Sequence, residues 1–298
     1  MANGRLASHP LDVNFELRNS NFEIVEAKLD MLKIGVVGVG TIGADICRAI
    51  DEGSVPATLI GICDVESEKA EGLARSLRQS VPVTPLNVLV EASDLVVEAA
   101  SKAAAPAIIR QALERSRDVL VMSVGGLLEH AAELIGLAKK QGKRLYIPSG
   151  AIAGLDAIKG AMVGRVFKVT LTTRKPPHSL AGAPHVVQKG IDLKPLKQPT
   201  VIFSGSAREA VPAFPANINV AAALSLAGVG ADKTEVRIIA DPTTDKNTHE
   251  IEAEGDFGKL FARMENVPSP TNPKTSHMAA LSAIALLRRI TAPLVVGT

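Results

Sequence analysis

The stretch Leu32-Lys33-Ile34-Gly35-Val36-Val37-Gly38-Val39-Gly40-Thr41-Ile42-Gly43 decides how the rest of the chain is read. Its first half is a short apolar run of the kind that forms a buried parallel strand. Its second half matches G-x-G-x-x-G, after which Ile42, Ile46 and Ile50 recur at helical spacing. Between a strand and a helix those glycines allow a tight turn, close approach of backbone to a pyrophosphate, and tight packing of helix on strand. Asp64 ends a second apolar run, Ala57 to Cys63, about 20 residues on, where an acid bonds the hydroxyls of an adenosine ribose. Gly38, Gly40, Thr41, Ile42, Gly43 and Asp64 therefore predict a dinucleotide site on a Rossmann domain. No arginine follows Asp64 directly, and a carboxylate there repels a 2′-phosphate, so the expected cofactor is NAD. Lys69, one helical turn further, leaves NADP open.

Outward from this unit, the helix Ser67 to Arg78 leads to strands at Leu95-Val96-Val97, Val119 to Ser123 and Arg144 to Pro148. Helices at Ala105 to Arg115 and Leu128 to Gln141 alternate with them, the signature of βαβ units and a doubly wound parallel sheet. Ser123-Val124-Gly125-Gly126 and Pro148-Ser149-Gly150-Ala151 follow strands, where ligands of open α/β sheets sit, and are small enough to admit a nicotinamide ring. After Gly150 the texture changes. Val166 to Thr173 alternates Phe167, Val169 and Leu171 against Lys168, Thr170 and Thr172, as a sheet with one covered face does. The pattern returns in His249 to Glu254 and turns at Gly255-Asp256-Phe257-Gly258 into Lys259 to Met264. The expected architecture is α/β, a Rossmann domain over 31–150 plus an α+β domain over 151–274 with an open-faced mixed or antiparallel sheet. A final helix from about Thr275 to Arg289 is expected to pack back on the first domain.

Composition narrows the function. The 298 residues carry 33 basic and 31 acidic side chains with no basic stripe, which argues against nucleic acid as a partner. Cys47 and Cys63 are the two cysteines, too few for a disulfide framework or a zinc motif, and a reducing, cytoplasmic setting is expected with no metal. The most apolar windows, Val220 to Ala231 and Met278 to Leu287, are shorter than the roughly 20 residues that span a bilayer. Residues 1–30 mix polar residues with scattered Leu and Phe and read as an appended arm, or as a start placed upstream of Met31.

Several separate motifs then occur in order: Pro148-Ser149-Gly150-Ala151-Ile152, Thr173-Arg174-Lys175-Pro176, Ser204 to Ala210, Asn217 to Ala222, Asp241-Pro242, Asn247-Thr248-His249-Glu250, and Asn272-Pro273-Lys274-Thr275-Ser276. On these the chain resembles the L-aspartate dehydrogenases, from Met31 almost to its end. The resemblance implies NAD(P)-dependent oxidation of L-aspartate to iminoaspartate. Water converts that product to oxaloacetate and ammonia, or it feeds NAD biosynthesis; the reverse amination and a homodimer are implied as well. It also implies that His249 is the active-site histidine and that Ala151 and Asn219 contact the cofactor.

The residues support part of this independently. Oxidising an amine needs a titrating group, for which histidine is the natural choice. Of the six histidines, only His249 begins a strand with its side chain on the apolar face. Arg174, Lys175, Arg208 and Lys274 are candidates to hold substrate carboxylates through charge-assisted bonds. Lys274 precedes a helix start that Thr275 or Ser276 caps, where free amides favour anions. Other two-domain enzymes, of the homoserine dehydrogenase or dihydrodipicolinate reductase type, share the glycine loop and the open sheet. A non-catalytic dinucleotide sensor, with His249 structural, is the reading from a different class.

Overall fold

The computed structural model describes residues 31–215, 218–270 and 272–298, apart from the side chains of Ile218, Pro273 and Lys274. The expectation for residues 1–30 lies outside the described residues. Strand β1 (Lys33–Val37) enters the glycine turn, and α1 (Thr41–Asp51) leaves it with Ile46 and Ile50 inward. β2 (Thr58–Cys63), α2 (Ser67–Ser76), α3 (Leu86–Ala92) and β3 (Leu95–Glu98) follow. Next come α4 (Ala105–Glu114), β4 (Asp118–Val121), α5 (Val124–Glu129), α6 (Ala131–Gln141) and β5 (Leu145–Tyr146). The five strands form one parallel sheet in the order β2-β1-β3-β4-β5. Their near-continuous apolar sequences follow from burial on both faces: Ile34, Val36, Val96, Val97 and Leu120 are inaccessible to solvent.

The helix expected over Leu128 to Gln141 is two helices, and the first starts four residues earlier, directly at Val124. The chain breaks at His130, which leaves α5 free to turn its small Gly125 and Gly126 inward. A Cβ on Gly126 would lie 2.3 Å from the Lys102 carbonyl oxygen, so only glycine permits that contact.

The second domain opens with α7 (Leu155–Ala161) and the long strand β6 (Val166–Lys175). After α8 (Pro184–Gln188) come β7 (Thr200–Ser206), α9 (Ala207–Ala213), α10 (Ile218–Ala227) and β8 (Thr234–Ala240). β9 (Asn247–Gly255) and β10 (Gly258–Asn266) form the hairpin read from the sequence. The sheet order is β10-β9-β6-β8-β7, mixed because β6 runs parallel to β8 and antiparallel to β9. One face is covered by the helices that bury Val169, Leu171, Val236, Ile238, Ile251 and Ala253. Phe167, expected on that face, is 68% exposed. The register shifts between Val166 and Lys168, and the bulge there reverses the side on which Phe167 emerges.

A small hairpin of β11 (Pro268–Ser269) and β12 (Asn272–Ser276) leads into α11 (His277–Thr291). Ala283 and Leu287 of α11 are buried in the same cluster as β1 and α1, and the Arg288 guanidinium donates to the Ser54 carbonyl. The chain thus closes back on the first sheet, and the end of α11 nearest β12 is left where the two sheets meet. Among the described residues no helix is long and apolar enough to cross a membrane.

Candidate active site

The glycine turn is built as its sequence requires. Gly38 has φ of +90°, and its N–H donates to the Cys63 carbonyl at 2.8 Å. A Cβ at Gly43 would stand 1.9 Å from the Gly38 carbonyl oxygen, which explains the third glycine. Around Gly40, by contrast, there is open space, and α1 begins there with no side-chain cap. Uncapped amides at a helix start beside open space fit a pyrophosphate group. Asp64 accepts the Val39 N–H at 2.7 Å through Oδ2 and the Glu66 N–H at 2.9 Å through Oδ1, so its carboxylate is locked beside the turn. These residues fit a dinucleotide.

Past the carboxyl ends of β1, β4 and β5 lies a cavity of about 210 Å³. The first domain lines it with Ile42, Met122, Val124 and Pro148 to Ala151. The second contributes Asn219 and Val220 of α10, Asn247 and His249 of β9, Lys175 of β6, and Thr275 and Ser276 before α11. Hydrogen bonds pin its walls to one another. The Asn219 carboxamide accepts the Gly125 N–H at 3.0 Å, the Asn266 Nδ2 donates to the Ala151 carbonyl at 3.0 Å, and the Gly150 N–H donates to Ser282 Oγ at 3.0 Å. Ala151 and Asn219 therefore border the space between the two domains, where Ile42 of the glycine turn also reaches.

His249 is 6% exposed, and its Nδ1 is within 2.9 Å of the Thr173 hydroxyl on the paired strand. Burial, and secondarily the charge of Lys175, push its pKa down to about 3. The imidazole is thus held neutral rather than poised near neutrality. Lys175 follows Thr173 on the same face, and burial lowers its ammonium to about 8.

The remaining expected cations are placed elsewhere. Arg174 points to the other face and pairs with Asp241 at 3.2 Å. Burial would raise the Asp241 carboxyl, but bonds from Thr243 and Arg174 hold it below the usual carboxylate range. Arg208 pairs with the exposed Asp232, away from the cavity. The side chain of Lys274 lies outside the described residues.

Sequence reasoning overlooked Thr173, Asn247 and Glu98. Glu98 is fully buried at the end of β3, where its carboxylate accepts the Ala100 and Ser123 N–H groups at 3.0 Å each. Burial, partly offset by those bonds, raises its pKa. The signal for it was present, since an acid closing the apolar run Leu95-Val96-Val97 is a buried charge that needs partners. It ties the ends of β3 and β4 and so fixes where α5 and the Asn219 contact begin.

A parallel sheet with an uncapped glycine turn, sharing one cavity with a second sheet that brings a buried histidine and lysine, defines a two-domain dinucleotide-dependent oxidoreductase. A family model described as aspartate dehydrogenase, C-terminal, matches residues 156–290, and one described as the NAD-binding domain of homoserine dehydrogenase matches residues 38–148. The L-aspartate dehydrogenase of Methanosarcina mazei is 52% identical over 271 residues, covering 90% of this chain and 100% of the relative. That of Bradyrhizobium diazoefficiens is 45% identical over 267 residues, covering 90% and 94%. The crystal structure of aspartate dehydrogenase from Thermotoga maritima is 28% identical and matches with a TM-score of 0.70 over 89% of this chain and 99% of that one. The chain belongs to the L-aspartate dehydrogenase family.

Proposed function

We propose that this chain oxidises L-aspartate to iminoaspartate with NAD, releasing oxaloacetate and ammonia after hydrolysis, and runs the reaction in reverse. The observation that carries the reading is the shared cavity. It joins the nicotinamide side of a dinucleotide turn to His249, to a lysine without an anionic partner among the described residues, and to the start of α11. Ser276 is the N-cap of that helix and makes no side-chain cap bond; the His277 N–H donates to the Val267 carbonyl at 3.1 Å, which leaves the next amides of the first turn, at Met278 and Ala279, to face an anion. Lys175 and the helix start together give the positive field that a dicarboxylate requires. Bound at the glycine turn, the cofactor supplies the hydride acceptor. His249 is read as catalytic, and Ala151 and Asn219 as walls of the nicotinamide site.

The test is kcat/KM for aspartate, glutamate, asparagine, alanine and homoserine with one saturating cofactor. Aspartate is expected to lead each by at least about tenfold. Glutamate's extra methylene moves C2 away from a hydride-transfer distance of roughly 3 to 3.5 Å. Asparagine gives up a charge-assisted bond worth about 1.5 to 3 kcal/mol. A lead for homoserine or for alanine overturns the substrate assignment and leaves the dinucleotide site standing.

We infer NAD over NADP from Asp64. Its two oxygens are already fixed by backbone amides, so it cannot swing aside for a 2′-phosphate. Asp64→Ala is expected to shrink the NAD to NADP ratio of kcat/KM. An unchanged ratio removes Asp64 from that role.

A further inference from the structure

Among the described residues the cavity contains two titratable side chains, Lys175 and His249, and no carboxylate. Their placement follows from strand geometry. Thr173 and Lys175 share one face of β6, and His249 stands opposite Thr173 in the β6–β9 register. With Nδ1 engaged by Thr173 and the ring deeply buried, His249 stays neutral across the working range, so it is a poor proton acceptor. Lys175 is different. Its Nζ has no hydrogen-bond or ion-pair partner among the described residues, and it is desolvated at the cavity wall.

No negative charge faces it from the described elements packed around it. β9 contributes Asn247 and His249, α10 contributes Asn219, and the approach to α11 contributes Thr275 and Ser276. Asp241, whose N–H donates to the Lys175 carbonyl, is occupied by Thr243 and by Arg174 on the opposite face. A zwitterionic amino acid entering this space would set its ammonium beside the lysine's. Two like charges in one desolvated cavity disfavour each other, which favours the loss of one proton.

We propose that Lys175 is a catalytic residue, the proton acceptor whose amine receives a proton from the ammonium group of the substrate. The proposal rests on the aspartate reading above. The steps balance. The substrate N–H bond breaks and its proton bonds to Lys175 Nζ, leaving a lone pair on the substrate nitrogen. The C2–H bond then breaks with its electron pair leaving as hydride to the dinucleotide, while the nitrogen lone pair forms the C=N bond. Water adds to the resulting iminium carbon, its protons pass to the nitrogen, and ammonium departs as the carbonyl forms.

The experiment measures protons directly. Calorimetric titrations of NAD-saturated enzyme at pH 7, in buffers of different ionisation heat, use 2-methylaspartate, which has an ammonium but no C2–H, and succinate, which has no amine. Wild type is expected to release about one proton with 2-methylaspartate and none with succinate. Lys175→Met is expected to release none with either. Lys175→Arg keeps a cation that cannot deprotonate, so it should bind succinate within about threefold of wild type yet lose about 10² to 10³ in kcat. The wild-type kcat/KM should rise with pH through about 8, and that rise should be missing in both variants. Melting temperatures at or above wild type identify Lys175→Met as folded. Equal proton release by Lys175→Met, or near-wild-type turnover by Lys175→Arg, overturns the proposal while the aspartate reading stands. Absence of aspartate turnover in wild type overturns both.

Discussion

Replacing His249 by asparagine is expected to lower kcat by about 10² to 10⁴, the usual scale for a lost acid/base or hydrogen-bonding group at the reacting centre. The melting temperature at pH 8 should change by only a few degrees. The imidazole lines the cavity with one ring nitrogen held by Thr173, and the other has no protein partner among the described residues. Such a fixed neutral ring is suited to bonding the substrate or the attacking water, whereas asparagine preserves the contact to Thr173 but cannot reproduce both ring nitrogens. Stability has its own pH signature. The folded-state pKa is depressed to about 3, so below about 6.5 the unfolded chain binds a proton that the folded protein refuses. Stability is unaffected by this group above pH 6.5 and falls as pH drops toward 3, by about 2 kcal/mol at pH 5. The asparagine variant loses that slope, and denaturant midpoints at pH 5 and pH 8 measure it. Undiminished turnover would leave His249 a structural residue.

Why Lys175 and not its neighbours enters the cavity was only half legible in the chain. The alternation Val169, Leu171, Thr173 extends to Lys175 and puts it on the covered face, a signal available without coordinates. What separates it from Arg174 and Arg208 is partnership, because Asp241 and Asp232 lie far along the sequence and only the fold brings them to those guanidinium groups. The first domain was legible almost throughout, since buried parallel strands carry their apolar sequence on both faces. In the second, β7 and β8 passed unread. Thr200-Val201-Ile202-Phe203-Ser204-Gly205-Ser206 carries its own register shift between Val201 and Phe203, which leaves Val201 exposed and spoils a period of two. β8 alternates well, with Thr234, Val236, Ile238 and Ala240 buried, yet Arg237 and Glu235 between them make it resemble a polar loop. The break between α5 and α6 was invisible for another reason. It accompanies the close approach of Gly126 to the Lys102 carbonyl, a tertiary contact with no local mark.

The two glycines of the dinucleotide turn should respond to the same methyl group in opposite ways. In Gly43→Ala the new Cβ meets the Gly38 carbonyl oxygen at 1.9 Å, and that atom is backbone on the far side of a tight turn. Neither partner can rotate out of the way, so α1 has to withdraw from β1 and from the cluster it shares with Ala283 and Leu287. Overpacking of this kind costs typically 1 to 3 kcal/mol, and the melting temperature should fall visibly without any cofactor present. Displacing the start of α1 also moves the uncapped amides that we propose face the pyrophosphate, so NADH affinity should drop by about tenfold for each 1.4 kcal/mol lost there. In Gly40→Ala the Cβ enters open space, with no atom within 4 Å, and the backbone is not in the left-handed region. That variant should melt with wild type and still bind NADH much more weakly, because the methyl fills the room through which the phosphates reach the backbone. Calorimetric melting of the apoprotein and NADH fluorescence titration separate the two cases. A Gly40→Ala variant that binds NADH as wild type does would place the pyrophosphate elsewhere, since a group contacting the amides at the start of α1 has no route past that methyl.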